Sequence, residues 1–242
     1  MAVRYGDSID MIKADRIIFA TGNKNKIREA SQILADFDIP VISMKEAGAE
    51  ADPEEDGATF EENAMIKARA VAEVLREKKE ETGASKSDEK EDRKPELADG
   101  VFDREMYGDI VIADDSGLVI DALNGEPGIY SARYMGHETS YHIKNNNLIE
   151  RLTGVPDEKR TARFVCAIAA VLPDGRELST TGYYEGAIGY EEKGENGFGY
   201  DPIFYLPDVG RYSAELSDEE KNARSHRGQA LREMRDMLEK VM

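Results

Sequence analysis

Two short apolar runs constrain this chain more than any other feature. Arg16-Ile17-Ile18-Phe19-Ala20 and Ile110-Val111-Ile112-Ala113 are brief, continuous and rich in β-branched residues, the pattern of strands covered on both faces. The first breaks at Thr21-Gly22-Asn23. Ile27, Ala30, Ile33 and Leu34 follow at helical core spacing. Strand, glycine-containing turn and helix in that order predict an α/β domain. The second run ends in Asp114-Asp115-Ser116-Gly117 and resumes as Leu118-Val119-Ile120.

The remaining elements read as one domain over residues 16–242, preceded by a polar lead of residues 1–15. Thr59 with Glu62 forms a capping-box signature. The helix beyond it carries Ala64, Ala68, Val71 and Leu75 on one face, with Asn63 and Lys67 together at its rim. From Arg76 to Glu96 most residues are charged and almost none is apolar, so this stretch reads either as a helix tail running into a solvated loop or, the favoured reading, as a disordered insertion reaching to about Asp109. A polar helix is expected over 138–152. Thr161 to Leu172 and residues 176–188 flank the turn Pro173-Asp174-Gly175 and predict a hairpin. Ser217 with Glu220 is a second capping box, and Leu231, Met234 and Leu238 line the last helix.

Composition excludes several classes. No apolar run approaches the roughly 18 residues a membrane span needs, and no basic segment precedes a long apolar one, so we expect no membrane partner and a cytoplasmic location. One cysteine, Cys166, rules out an intrachain disulfide framework, and three histidines make a His-rich zinc centre a poor fit. The net charge of −18 opposes nucleic-acid binding. That acidity reads either as plain solubility or as adaptation to a salty interior, where salt screens dense carboxylates.

Four constellations carry chemistry. The turn Thr21-Gly22-Asn23-Lys24-Asn25-Lys26 offers outward N–H groups, a helix N-terminus and a lysine, a phosphate cradle or simply a surface turn. Asp114-Asp115, at an expected strand end and sheet edge, suits a hard divalent cation such as magnesium, or a solvated loop. Gly197-Phe198-Gly199-Tyr200-Asp201-Pro202 offers close backbone approach and a ring for stacking a base, or a turn with two core aromatics. Lys221, His226 and Arg227 supply donors for carbonyls or phosphates, or ion pairs for nearby glutamates. Together they describe a hydrolase of nucleotide phosphates.

Five blocks extend that reading: TGNKNK at 21–26, EEDGATFEENAMIKA at 54–68, ADDSGL at 113–118, FGYDPIF at 198–204 and EKNARSHR at 220–227. In this order they resemble the inosine triphosphate pyrophosphatase family. The resemblance implies an elongated two-lobed α/β fold with a long central mixed sheet flanked by helices and the active site in the cleft between lobes. It also implies a magnesium-dependent homodimer that splits ITP, dITP and XTP into monophosphate and pyrophosphate. By the same resemblance Asp115 is proton acceptor and metal ligand, Glu55 (with Glu54 adjacent) a second metal ligand, and Lys67 a phosphate contact. Thr21, Gly22, Asn23, Lys24, Asn25 and Lys26 would hold the triphosphate, and Ser116 would touch substrate. Phe198, Gly199, Tyr200 and Asp201 would form the base-side wall, with Lys221, His226 and Arg227 near the base. The charged stretch after Arg76 looks longer than the family's usual link.

Overall fold

The structure, a computed structural model, describes residues 12–84 and 106–242. Strands β1 (Ile12–Phe19), β2 (Val41–Ser43), β3 (Met106–Ile120), β4 (Thr161–Val171), β5 (Glu177–Ile188), β6 (Phe204–Leu206) and β7 (Arg211–Tyr212) form one sheet, ordered β2-β1-β3-β4-β5-β6-β7. β1 runs parallel to β2 and β3, and every later pairing is antiparallel. The helices are α1 (Lys24–Ile33), α2 (Phe60–Ala84), α3 (Tyr141–Arg151), α4 (Asp218–Arg224) and α5 (His226–Leu238).

The alternation of side chains along each strand sorts the core into layers. Phe19, Ile110, Ile112 and Ile168 face α1 and α5, where Leu34, Leu231 and Met234 cover them. Ile18, Val111, Ala113 and Ala167 face the opposite way and meet Ala64, Ala68 and Val71 of α2. Alanines on both sides of that second contact let the helix lie close to the sheet. At the far ends of β3, β4 and β5 a third cluster begins, with Leu118, Ile120, Leu148, Phe164 and Phe204. The long strands therefore run through two packed regions, as expected of the mixed sheet.

Several boundaries differ from expectation. β1 begins at Ile12, inside the expected polar lead, because the Ile12 amide donates to the Val241 carbonyl (2.7 Å) and Arg16 pairs with Asp109 after a register shift. α2 runs into the charged stretch as far as Ala84, which fits the helix-tail reading of that part rather than the favoured insertion, and β3 has already started at Met106. The centre of the expected insertion lies outside the described residues. α3 is shorter than the 138–152 pattern because Ser140 caps it, its hydroxyl accepting from the Ile143 amide. Among the described residues no helix is long and apolar enough to cross a membrane.

α5 touches β5 where the strand has no side chain. A Cβ at Gly182 would collide with the His226 carbonyl oxygen and lie 2.8 Å from the Ala230 nitrogen, both of them backbone atoms. Thr180 fixes the same contact by donating to the Ala230 carbonyl at 2.9 Å. Gly182→Ala should therefore push the start of α5 off the sheet. We expect a loss of about 1–3 kcal/mol in urea unfolding, the usual cost of overpacking, with weaker ligand binding at His226 and Arg227.

Candidate active site

The site is organised by the point where parallel pairing stops. β1 ends at Phe19, opposite Ile112, while β3 continues for eight residues to Ile120. Beyond Ile112, β3 keeps its ladder with β4, through Asp114 opposite Ile168 and Asp115 opposite Ala167. Asp114 and Asp115 were expected at a strand end. They lie instead in mid-strand, because β4 satisfies the backbone there even where the side chains turn polar. What ends at this level is the neighbouring strand β1, and its end opens a crevice beside the two carboxylates.

Consecutive strand residues point to opposite faces, so the two aspartates do not share one environment. Asp115 faces α2. There Lys67 Nζ donates to its Oδ1 at 3.0 Å and Asn63 Nδ2 approaches its Oδ2 at 3.4 Å. Asn63 and Lys67 are one helical turn apart, as the capped pattern of α2 predicts. Thr59 accepts from the Glu62 amide at 3.1 Å, while the Glu62 carboxylate reaches back to the Ala58 amide rather than to Thr59. Lys67 also pairs with Glu55 at 3.1 Å and donates to the Asp114 carbonyl at 3.2 Å. Arg133 holds the Glu55 backbone through its carbonyl. Burial raises the Asp115 pKa, and Lys67 offsets this only in part. Burial alone would lower the Lys67 pKa, but Asp115, Glu55 and Asp114 outweigh it and hold the lysine charged.

Asp114 faces α1 and α5. Burial opposes its charge, yet Lys26 and Arg227 hold its carboxyl well below the usual range. Lys26 Nζ donates to Oδ1 at 3.0 Å, and Arg227 Nε to Oδ2 at 3.2 Å. The expected cradle at 21–26 is more self-contained than its sequence suggests. Asn23 caps α1, its Oδ1 accepting from the Asn25 and Lys26 amides, while Thr21 Oγ1 accepts from the Asn23 amide. Three of the N–H groups expected to face a ligand are thus engaged locally. Asn23, Asn25 and Lys26 line the adjoining cleft; Gly22 and Lys24 are exposed outside that lining.

The cleft has a volume of about 540 Å³ and is bounded by α1, the start of α5 and the 197–201 loop, with Ser116 and Gly117 on its wall. Asp201 organises the loop. Its buried carboxylate accepts from the Phe198 amide (2.8 Å), Lys221 Nζ (2.5 Å) and Ser213 Oγ (2.8 Å). Tyr200 is buried too; its hydroxyl donates to the Ser131 carbonyl and its ring meets Tyr141 edge-on. Phe198, by contrast, is 49% exposed, with Lys221 Nζ 4.9 Å from its ring centre. His226 stacks on Phe164, and its Nδ1 is buried with no partner among the described residues. Burial, helped by Arg227 and Lys221, pushes the His226 pKa well down and keeps the ring neutral.

Most of the sequence-predicted residues thus fall around one crevice, with unequal parts, while Thr21, Gly22 and Lys24 lie outside its lining. Lys26, Ser116, Phe198, Gly199, Lys221, His226 and Arg227 line the cleft, while Glu55, Lys67 and Asp115 form a group beside it. Tyr200 and Asp201 also border the cleft, but their polar groups are spent on shaping the loop. Two participants were missed. Glu29 is a buried carboxylate whose Oε2 accepts from Arg227 Nη1 at 3.3 Å; its place one turn after Lys26 was the available signal. Tyr141, at the start of α3, lines the cleft opposite Gly199, and nothing in its surroundings marked it.

The donor set fits a small hard cation. Glu55 and Asp115 both reach the same lysine nitrogen, so two carboxylates converge on one point beside the cleft. Among the described residues no group of three or more metal-binding side chains assembles elsewhere or here. One or two carboxylates are the protein ligands magnesium ordinarily takes, the rest of its shell being water and phosphate oxygens.

Known proteins share this arrangement of chain. A model described as the Ham1 family matches residues 17–237. The sequence is similar to the dITP/XTP pyrophosphatase of Clostridium perfringens, 40% identical over 227 residues that cover 94% of this chain and 98% of that one. It is 43% identical to the dITP/XTP pyrophosphatase of Yersinia pestis over 225 residues, 92% of this chain and 98% of that one. Among solved structures, the Staphylococcus aureus Ham1 protein superposes with a TM-score of 0.74 at 37% identity, covering 95% of this chain and 100% of that one. The Mycobacterium abscessus nucleoside-triphosphatase / dITP/XTP pyrophosphatase gives a TM-score of 0.62 at 36% identity, covering 90% and 98%.

The neutral, buried His226 has a consequence for stability. Its pKa is depressed in the folded state and near 6.5 when unfolded, so below that pH only the unfolded chain takes up the proton. Stability should fall as pH drops from about 6.5 toward the folded-state value, by up to about 1.4 kcal/mol per pH unit. Urea unfolding of the wild type and His226→Phe between pH 8 and 5 checks this. The difference between the two should shift in favour of the variant only below about pH 6.5.

Proposed function

This chain belongs to the Ham1 family, and from that footing we propose that it hydrolyses non-canonical purine nucleoside triphosphates, ITP, dITP and XTP, to nucleoside monophosphate and pyrophosphate. The observation that carries the reading is the pair of aspartates on opposite faces of β3. One holds Lys67, which also pairs with Glu55, and the other gathers Lys26 and Arg227 beside a cleft with a half-exposed phenylalanine. The triphosphate is the ligand that needs so many cations in a chain this acidic.

The residues divide the work. Lys26 and Lys67 neutralise phosphate oxygens, which is most of what phosphoryl chemistry asks of a protein. Glu55 and Asp115 would hold magnesium, which when bound neutralises phosphate charge and acidifies water. Asp115, with its raised proton affinity, takes the proton of the water that attacks the α-phosphorus. Phe198 stacks the base. Arg227 and the neutral His226 face the position-6 substituent. A 6-oxo group accepts from a donor there, whereas the adenine amino group would confront one, a mismatch that discriminates strongly against adenine; guanine shares the 6-oxo group, so this contact does not exclude it. The proposed assembly is a homodimer in the cytoplasm, and light scattering of the purified chain checks the dimer.

The test is a product assay with magnesium and ITP, XTP, dITP, GTP and ATP, resolved by chromatography. Monophosphate with pyrophosphate from the first three, and little from GTP and ATP, is the expected result. Diphosphate with orthophosphate would mean that another bond is cut, and no turnover would remove the reading altogether. Asp115→Asn should lower kcat by about 10²–10⁴-fold, the usual worth of a general base, with an unchanged circular-dichroism spectrum.

A further inference from the structure

Asp114 is the most enclosed charge in the crevice, its side chain 1% exposed. Its Oδ1 accepts from Lys26 Nζ at 3.0 Å, and its Oδ2 accepts from Arg227 Nε and Ser116 Oγ, each at 3.2 Å. These three donors come from α1, α5 and β3. Every one of them belongs to the ligand-binding set, and they serve different ends of the substrate. Lys26 belongs with the triphosphate, Arg227 with the base.

Arg227 is held on two sides. Nε lies on Asp114 and Nη1 on Glu29, at 3.2 and 3.3 Å, and among the described residues Nη2 has no hydrogen-bond partner. A guanidinium is planar, so two anchored nitrogens fix the direction of the third. Lys26 has no such rigid fork. Its ammonium stands where it does because a buried carboxylate holds it across the crevice. Remove the negative charge, and the buried Arg227 and the part-buried Lys26 face each other, with Glu29 left as the one carboxylate on Arg227.

We infer that Asp114 is a positioning residue that couples triphosphate recognition to base recognition, by fixing Lys26 and Arg227 from one buried carboxylate. It does not itself touch the reacting phosphorus. The inference rests on the proposed function, because that reading assigns the two cations to the two ends of the substrate. Its consequence is that the cations cannot act independently. A substrate that seats its base correctly against Arg227 also finds Lys26 in place, and loss of either cation alters the grip of Asp114 on the other.

The test is a set of mutant cycles on the full chain with ITP and ATP. Asp114→Asn should raise KM for ITP at least tenfold and lower the ITP-over-ATP ratio of kcat/KM at least tenfold, with a smaller change in kcat. In the Lys26→Met/Arg227→Gln background the same substitution should change kcat/KM less than threefold. An equal loss in both backgrounds would overturn the inference, since Asp114 would then act by some other route. If Asp114→Asn fails to fold, the cycle between Lys26→Met and Arg227→Gln decides: more than threefold coupling supports a shared anchor, and strict additivity overturns it. Affinity for ITP in the presence of a chelator, measured by calorimetry, gives the same cycles without turnover. An inactive wild type would sink the proposed function, while the coupling in binding would still uphold or overturn the role of Asp114.

Discussion

Two carboxylates stand next to each other in β3, an inner strand of the sheet, and both are buried. An unpaired buried carboxylate is costly, and two of them on one face would repel strongly. The alternation of β3 removes the second problem by sending Asp114 and Asp115 to opposite sides. Cations remove the first. Lys26 and Arg227 arrive on one face from α1 and α5, and Lys67 arrives on the other from α2. Three helices are thus tied to one dipeptide. Breaking a buried pair by removing one partner is more damaging than never having built it, so this arrangement constrains where those helices pack.

The change from parallel to antiparallel pairing turns that constraint into a site. β1 stops at Phe19 while β3 continues, supported on its other edge by β4. The crevice beside the carboxyl end of β1 is where open α/β sheets characteristically bind ligands. Here the same strand supplies the wall of the crevice and both carboxylates. The 197–201 loop and the start of α5 close the other side, where Asp201 holds the loop and Gly182 lets α5 sit against β5.

Much of this was legible in the residue order. The apolar run at 16–20, the helix through Leu34, the α2 face with Asn63 and Lys67 on its rim, and the hairpin after Thr161 all follow from local periodicity. The Ser217–Glu220 capping box forms with both of its hydrogen bonds. Polarity misled at Asp114-Asp115, where carboxylates suggest a break but the β4 ladder carries the strand through. At Tyr200 and Asp201 the residue order gave wall residues but not how they are held: their polar atoms are spent on Ser131, Phe198, Lys221 and Ser213. Glu29 was missed because a glutamate on a helix is usually solvated, and only the arrival of Arg227 from the other end of the chain makes it a partner.

The sequence by itself determined the classes of element, the polar breaks between them and the inventory of chemistry: a set of basic side chains, two adjacent aspartates and a glycine-rich loop carrying aromatic rings. Those are properties of short windows, written in hydrophobic period and in the acid–base character of single side chains. Only the tertiary structure decided which cation meets which carboxylate. Lys26 and Arg227 are about 200 positions apart in the chain, and what joins them is a buried charge that neither could neutralise so well alone. Pairings of that kind are set by where the sheet ends and which face a strand residue takes, and both are settled only when the strands assemble.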